Sequence, residues 1–261
     1  MDFAFTIAGF IVGFVVGLTG VGGGSLMTPI LVLFFHISPT LAVGTDLLYA
    51  AITKGGGVWV HARNGTVQWR IVGLMAAGSI PTSIATIFLL NYLDTQGINY
   101  DKAITTSLSI ALILTSGVIL FKTQILALSR FERMQFIKDL HHRLQSPITV
   151  VVGMLLGSLV TLSSVGAGAL GAAILFLLYP RLPSIAIVGT DLAHAVPLTA
   201  IAGLGHYQLL GSVDFTLLTS LLIGSLPGIY LGSHLGMNLP ERVIRPLLAT
   251  MLLSIGLRFA L

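Results

Sequence analysis

The sequence contains no cysteine and very little charge. Only 8% of its 261 residues are Asp, Glu, Lys or Arg, whereas a soluble domain has about 25%. Without cysteine there are no disulfides, no thiol chemistry and no cysteine-ligated metals. Thirteen Lys and Arg with nine Asp and Glu are too few to cover a water-facing surface of this size. These shortages exclude a soluble enzyme, a nucleic-acid-binding protein and a disordered scaffold.

Long apolar stretches take the place of the missing charge. Hydrophobic residues make up 55% of the chain, and the mean hydropathy is +0.98. Several stretches approach the roughly 20 residues that cross a bilayer core: residues 3–19, 71–90, 104–121, 148–162 and 215–235. The first follows Met1 and Asp2 without a basic region, so we expect no cleaved signal peptide. The sequence predicts an all-α polytopic membrane protein.

Four short patterns occur twice, in the same order and about 145 residues apart. They are a glycine-rich run (residues 20–26 and 164–170), Gly-Thr-Asp-Leu (44–47 and 189–192), a histidine (His61 and His206) and Gly-Ser-x-Pro (78–81 and 224–227). This repetition indicates two homologous halves, residues 1–122 and 147–261. The polar segment 123–146 between them is predicted to be an amphipathic linker on the cytoplasmic side.

Each half has the same plan: an apolar segment, a glycine-rich break, a shorter apolar piece and three further spans. The two apolar pieces on either side of a break have two interpretations. If together they form one interrupted crossing, the two repeats are parallel. If they form a hairpin, either re-entrant or spanning, the two repeats are inverted. In the hairpin case only Lys102 and Arg258 among the Lys and Arg residues fall opposite the linker, so the positive-inside rule favours inversion. We therefore expect about eight to ten membrane segments in two inverted repeats, an architecture common among secondary transporters.

The glycine-rich breaks are the first candidate site. Backbone polar groups exposed by a break are tolerated at membrane depth only when they are buried in protein or line a cavity, and the helix that follows presents N–H groups that suit an anion. The predicted substrate-binding residues are Gly22, Gly23, Gly24, Ser25 and Thr28 in the first half and Ser163, Ser164, Gly166 and Gly168 in the second. The alternative is close helix packing, which the regular spacing of Gly9, Gly13 and Gly17, and of Gly153 and Gly157, indicates for those positions.

Two acidic residues lie in matched places. Asp46 and Asp191 each follow Gly-Thr inside apolar sequence, where an ionisable side chain is costly and marks a functional site. We predict that they carry protons or act as gates. The alternative is that each caps the first turn of its own helix, since Pro39 and Pro183 lie close upstream. His194 lies one turn after Asp191, where the two side chains can pair.

Three other basic residues have two interpretations each. His61 and His206 are candidates for proton coupling, although a position at the membrane interface explains both. Lys54 follows Asp46 by about two helical turns; it could neutralise an anion, but we take it as the cytoplasmic end of the span. The sequence predicts no catalytic group, no cofactor and no metal site, and the two histidines of the linker are expected to be solvated.

Several of these residues resemble a known family. The similarity to the TauE/SafE sulfite exporter family of permeases lies in residues 20–25 with Pro29, Ala-Val-Gly-Thr at 42–45, Gly-Thr-Val at 65–67 and Gly-Ser-Ile-Pro at 78–81. The resemblance spans essentially the whole chain. It implies a multi-pass protein of the inner (plasma) membrane that transports small sulfur-containing anions, such as sulfite or organosulfonates, often as an exporter coupled to protons.

Three other functions stay open on the sequence. A passive anion channel shares the half-helix chemistry and lacks coupling. An intramembrane aspartyl protease uses two acids, but in distinct roles rather than in identical contexts, and a membrane scaffold needs neither breaks nor buried acids. The expected partners are a small anionic substrate, protons and the lipid bilayer, and no nucleic acid. Glycines at 224, 228, 232 and 236 could pack within the chain or across a homodimer.

Overall fold

The computed structural model describes residues 3–19, 24–121, 124, 135–236 and 241–260, with side chains at 3–18, 26–121, 124, 144–235 and 246–260. Ten helices and no strand lie in these ranges. In chain order they are α1 (Phe3–Thr19), α2 (Gly24–Phe34), α3 (Pro39–Arg63), α4 (Trp69–Thr95), α5 (Asp101–Leu120), α6 (Gln135–Ser163), α7 (Ala169–Leu178), α8 (Ser184–Leu210), α9 (Phe215–Gly236) and α10 (Glu241–Ala260). Within the described ranges, five helices precede the predicted linker and five begin at Gln135 or later.

Within the described ranges, five helices are long and apolar enough to cross a membrane. They are α4, α5, α8, the Leu144–Ser163 part of α6 and the Phe215–Leu235 part of α9. Three shorter apolar helices accompany them in α1, α7 and α10. Large apolar side chains such as Trp59, Phe88 and Leu155 point outward, as a lipid-facing surface requires. The chain is a multi-pass, all-helical membrane protein, as its composition predicts.

Helix α6 begins inside the predicted linker. It starts at Gln135 and continues through Pro147 to Ser163, so the later part of segment 123–146 is helical and continuous with the apolar sequence that follows. The charged side chains of the linker lie outside the residues whose side chains are described.

Helices α6 and α7 form a hairpin whose tip is the break at residues 163–168. At its open end, Gln145 Nε2 donates to the Leu178 carbonyl at 2.5 Å. Thr149 Oγ1 lies 2.8 Å from Tyr179 Oη, in a hydrogen bond one turn further along α6. Helix α7 therefore returns to the side where α6 begins. Its ten residues make it about 15 Å long, half the thickness of a bilayer core. The second break is therefore the turn of a hairpin, one of the alternatives left open by the sequence.

Glycines bring α1 directly onto the backbone of α9. A Cβ on Gly9 would overlap the backbone at Leu221, and a Cβ on Gly13 would overlap it at Ser225. The glycines at 224, 228 and 232 meet α1 in return. Of the two possibilities for these glycines, packing within the chain or across a homodimer, the structure shows packing within the chain. Gly78 and Gly153 bring α4 onto α6 in the same way, as the spacing of small residues predicts.

The central pair of helices, α3 and α8, runs antiparallel. Gly57 of α3 lies opposite Leu192 of α8, whereas Leu48, earlier in α3, lies opposite Gly203, later in α8. By contrast, contacts advance together along α1 and α9, and along α4 and α6. The two parallel pairs therefore flank an antiparallel pair, and this antiparallel pair carries both Gly-Thr-Asp sequences.

We predict that Gly13→Ala destabilises the protein by about 1–3 kcal/mol, because the added methyl group forces α1 and α9 apart. Thermal unfolding in detergent measures the effect as a lower melting temperature. Gly73→Ala is the matched control, since a Cβ at this exposed position in α4 meets nothing within 4 Å. Equal melting temperatures for the two variants would contradict the α1–α9 contact.

Candidate functional site

Asp46 lies deep inside the protein rather than at a helix end. Helix α3 begins at Pro39, and Asp46, about two turns further along, is completely buried. Thr28 of α2 donates to its Oδ2 at 2.5 Å, whereas its Oδ1 has no hydrogen-bond partner among the described residues. The capping alternative is wrong for Asp46, because a capping side chain must stand at the start of its helix.

Asp191 occupies the matching position on α8, which begins at Ser184. It is 2% exposed, and Gly171 of α7 packs so closely on it that a Cβ there would collide with Asp191 Oδ1. That oxygen, too, lacks a hydrogen bond within the described structure. Capping is wrong here as well, and glycine at position 171 is what lets the half-helix α7 approach the acid.

Lys54 lies among the charged groups at the centre, not at the end of a span. Its side chain is 5% exposed, and its Nζ donates to the Ala167 carbonyl at the hairpin tip at 2.7 Å. It interacts electrostatically with Asp191 and, more weakly, with Asp46. The expectation that Lys54 marks the cytoplasmic end of α3 is wrong, because the tip of the α6–α7 hairpin encloses it. The sequence feature that could have predicted this burial is the position of Lys54 within apolar sequence, about two turns from Asp46.

The tip of the α6–α7 hairpin forms one wall of this cluster. Gly166 and Gly168 have φ values of +123° and +141°, which favour glycine. Ser163 Oγ is hydrogen-bonded to backbone groups of the hairpin itself. Ser164 Oγ faces Asp46 without completing a hydrogen bond. Ser163 therefore holds the turn, whereas Ser164 is aimed at the acid.

The first glycine-rich break lies only partly within the described residues. Helix α2 starts at Gly24, whereas Gly22, Gly23 and the side chain of Ser25 lie outside the description. Thr28 is completely buried on α2. The substrate-binding roles assigned to these residues stay predictions.

His194 contacts a serine of the first half rather than Asp191. Its Nε2 lies 2.8 Å from Ser79 Oγ of α4, and at the matching place in the first half Tyr49 faces Ser225 of α9. The predicted pairing of His194 with Asp191 is wrong, since the histidine turns towards α4. The two serines belong to the repeated Gly-Ser-x-Pro sequences, and this repetition was the signal that sequence reasoning did not use.

The Gly-Thr pair before each acid contacts a turn of the other half. Gly189 and Thr190 contact the turn that follows α3, and Gly44 and Thr45 contact the turn that follows α8. Thr190 Oγ1 accepts a hydrogen bond from the Gln68 N–H at 3.0 Å. Thr45 Oγ1 accepts one from the Asp214 N–H at 3.1 Å. The glycines at 44 and 189 lie so close to these turns that a Cβ would clash with them. The repeated motif therefore fastens α3 to α8 at both ends.

His61 and His206 lie next to those same turns. His61 Nδ1 is 2.8 Å from Thr66 Oγ1, and the ring is partly exposed. His206 is completely buried, with Nδ1 at 3.0 Å from Ser212 Oγ and Nε2 at 3.0 Å from the Thr161 carbonyl. His206 lies near the end of α8, which does not contradict a position at the membrane boundary, but its ring is enclosed by protein. Both histidines hold a turn, and their role in proton coupling stays a prediction.

Most of the buried polar atoms that lack a hydrogen bond belong to Asp46 and Asp191 and to residues that interact with Asp46 or Lys54. Within the described side chains they include Asp46 Oδ1, Tyr49 Oη, Ser164 Oγ, Asp191 Oδ1 and His194 Nδ1. Because buried polar groups are normally satisfied, such a cluster marks a place for a polar ligand. No group of three side chains suited to a metal ion occurs in the part of the chain that was searched.

His206→Gln separates a structural role from a role in proton coupling. We expect it to lower the unfolding free energy by about 1–3 kcal/mol, because a buried carbonyl and hydroxyl lose their partner, and to leave the pH profile of transport unchanged. Thermal unfolding and transport at several pH values measure both effects. His61→Gln, at the partly exposed matching position, should cost less. A shifted pH profile for His206→Gln would contradict the structural role.

Comparison with known proteins assigns the chain to a family. Residues 5–259 match the family described as "Sulfite exporter TauE/SafE". "Probable membrane transporter protein YjnA" of Bacillus subtilis is 36% identical over 99% of both chains. "Probable membrane transporter protein YdhB" of the same organism is 28% identical over 90% of this chain and 91% of its own. "Probable membrane transporter protein MJ0441" of Methanocaldococcus jannaschii is 27% identical over 95% of this chain and 90% of its own.

No solved structure gives a significant match to this chain. The family match nonetheless covers nearly the whole sequence, including both acids, both breaks and Lys54. The chain therefore belongs to the TauE/SafE family and is a membrane transporter.

Proposed function

We propose that this protein is a secondary transporter that exports small sulfur-containing anions, such as sulfite or organosulfonates, coupled to protons. The family description supports the substrate class. The observation that carries the coupling is the burial of two carboxyl groups, Asp46 and Asp191, on the two central helices. A channel that only lets anions pass has no need of acids buried at this depth, because each is costly in an apolar surrounding.

We further propose that the two halves are inverted repeats that alternate access to the site. The antiparallel course of α3 and α8 supports this, because these helices carry matching motifs and point in opposite directions. The hairpin of α6 and α7 supports it too, since a hairpin, whether re-entrant or spanning, leaves an odd number of crossings in its half. Inverted repeats with broken helices are a common route to alternating access around a fixed site.

In this proposal the substrate lies between the two helix breaks. The N-terminal N–H groups of α2 and α7 and the hydroxyl of Ser164 face the anion, as half-helix termini do in other transporters, whereas the hydroxyl of Thr28 donates to Asp46. Asp46 and Asp191 carry the proton and gate the two sides. The linker lies in the cytoplasm and the protein in the inner (plasma) membrane, in keeping with the positive-inside rule. Dimerisation stays compatible with this arrangement, since the site belongs to one chain.

The two rival functions differ from this proposal in observable ways. A passive channel dissipates a gradient and never builds one. An aspartyl protease needs two carboxyl groups that share a proton at close range, whereas Asp46 accepts its hydrogen bond from Thr28 and Asp191 packs on Gly171. In the described structure the two acids do not bond to each other.

Transport by reconstituted proteoliposomes tests the proposed function. With a pH gradient imposed and a panel of sulfite, sulfoacetate, thiosulfate and sulfate offered, we expect at least one of these anions to accumulate. Asp46→Asn combined with Asp191→Asn should abolish accumulation and keep downhill flux, because no carboxyl group remains to carry the proton. Asp94→Asn is the matched control, since this acid is exposed near the end of α4.

Two results would contradict the proposal. If every anion only flows down its gradient and none accumulates, the protein is a passive channel. Accumulation that survives in the double variant removes the coupling role from the two acids.

A further inference from the structure

We propose that Lys54 and the two carboxyl groups near it form a binding site for one monovalent oxoanion, and that one proton crosses the membrane with the anion, in the direction set by their combined gradients. The inference rests on the proposed function and deepens it, because it names the charge class of the substrate and the residue that binds it. The sulfonate group and hydrogen sulfite have this chemistry, whereas sulfate does not.

Lys54 has hydrogen-bonding capacity to spare. An ammonium group has three N–H donors, and the Lys54 ammonium donates to the Ala167 carbonyl. The oxygens Asp46 Oδ1 and Asp191 Oδ1 are left without hydrogen bonds within the described structure. The remaining donors of this ammonium, which is 5% exposed, have no hydrogen-bond acceptor among the described residues. An oxoanion, with several acceptor oxygens, suits them.

Other polar side-chain atoms without a hydrogen bond belong to residues near Asp46 or Lys54, and His194 Nδ1 is a donor in the tautomer that carries its proton there. Ser164 Oγ at the hairpin tip, Tyr49 Oη on α3 and His194 Nδ1 on α8 are buried and form no hydrogen bond within the described ranges. Ser164 faces Asp46, and both Tyr49 and His194 feel the charges of the cluster. A bound oxoanion that accepts from Lys54 and from these groups would satisfy atoms that the protein alone leaves unpaired.

Charge balance fixes the class of anion. Net charge buried in a low-dielectric interior is costly, so the cluster favours states in which its charges cancel. Without substrate, one ionised carboxyl group balances Lys54 and the other carboxyl group is protonated. When a monovalent anion binds, the ionised carboxyl group takes up a proton from water, and the anion then balances Lys54. A dianion leaves one negative charge uncompensated, because both carboxyl groups are then already neutral and Lys54 supplies the single positive charge in the described part of the cluster.

The titratable side chains that face this site are few. They are Asp46, Tyr49, Lys54, Asp191 and His194, from α3 and α8. His194 Nε2 is already hydrogen-bonded to Ser79, and a phenol is neutral near pH 7. The two carboxyl groups are the ones that can exchange a proton in balance with the anion.

The repeat also supports one anion site rather than two. The place of Lys54 in the second half is taken by Thr199, which is buried and donates to the Ala195 carbonyl of its own helix at 2.9 Å. Two acids therefore share one lysine. The pseudo-symmetric frame contains a single cation able to hold the substrate in the described part of its centre.

The first test uses the wild-type protein in proteoliposomes. Methanesulfonate carries one charge at every working pH, and sulfate carries two near neutrality. We expect saturable methanesulfonate uptake that brings in one proton per anion, that an imposed membrane potential does not change, and that sulfate does not inhibit. Uptake driven by the potential, or sulfate transported as well as methanesulfonate, would overturn the proposal.

The second test changes the lysine. In Lys54→Met, we expect the KM for methanesulfonate to rise by about tenfold or more, because a charge-assisted hydrogen bond is lost. Lys54→Arg should retain most of the affinity, and Lys102→Met, at an exposed position on α5, should match the wild type. Size-exclusion profiles and melting temperatures show whether each variant folds. A folded Lys54→Met protein with an unchanged KM would overturn the proposal.

The two proposals fail in different ways. If the wild-type protein moves no anion of any kind, the proposed function fails. If it accumulates sulfate or thiosulfate as readily as methanesulfonate, transport stands and the monovalent site at Lys54 is wrong.

Discussion

The centre of this protein contains one buried ammonium group and two buried carboxyl groups, in a chain of which only 8% of the residues are charged. Charged groups held away from water must be paired and hydrogen-bonded, or neutralised. Asp46 and Lys54 come from α3 and Asp191 from α8, while the Ala167 carbonyl comes from the hairpin tip. The full set of these groups is therefore assembled only when both halves of the chain are docked, which ties the integrity of the site to the whole fold.

Close approach of backbones makes that docking possible. Glycines let α1 lie on α9 and α4 lie on α6, and Gly171 lets α7 reach Asp191. In each Gly-Thr-Asp motif the three residues have separate tasks: the glycine admits a turn of the other half, the threonine accepts a hydrogen bond from it, and the acid faces the interior. The motif thus connects the packing of α3 and α8 to the position of the two acids, because the packing residues and the acid are adjacent in sequence.

Several features could be predicted from residue type and spacing. The repeated patterns pointed to Asp46, Asp191 and the second break, because an acid or a run of glycines is out of place in apolar sequence. Lys54 was misjudged because a lysine in an apolar stretch looks the same whether it ends a span or is enclosed by another helix. His194 was misjudged because Asp191 is its neighbour along the helix, whereas Ser79 arrives from α4.

By itself, the sequence determined that this is a helical membrane protein, because helices satisfy their own backbone groups where no water is present. It also determined where helices break, since Gly166 and Gly168 adopt backbone angles that other residues avoid. Only the tertiary structure decided which polar groups meet and that the second break is a hairpin. In a membrane helix the lipid-facing side is as apolar as the packed side, so periodicity does not reveal which face turns inward.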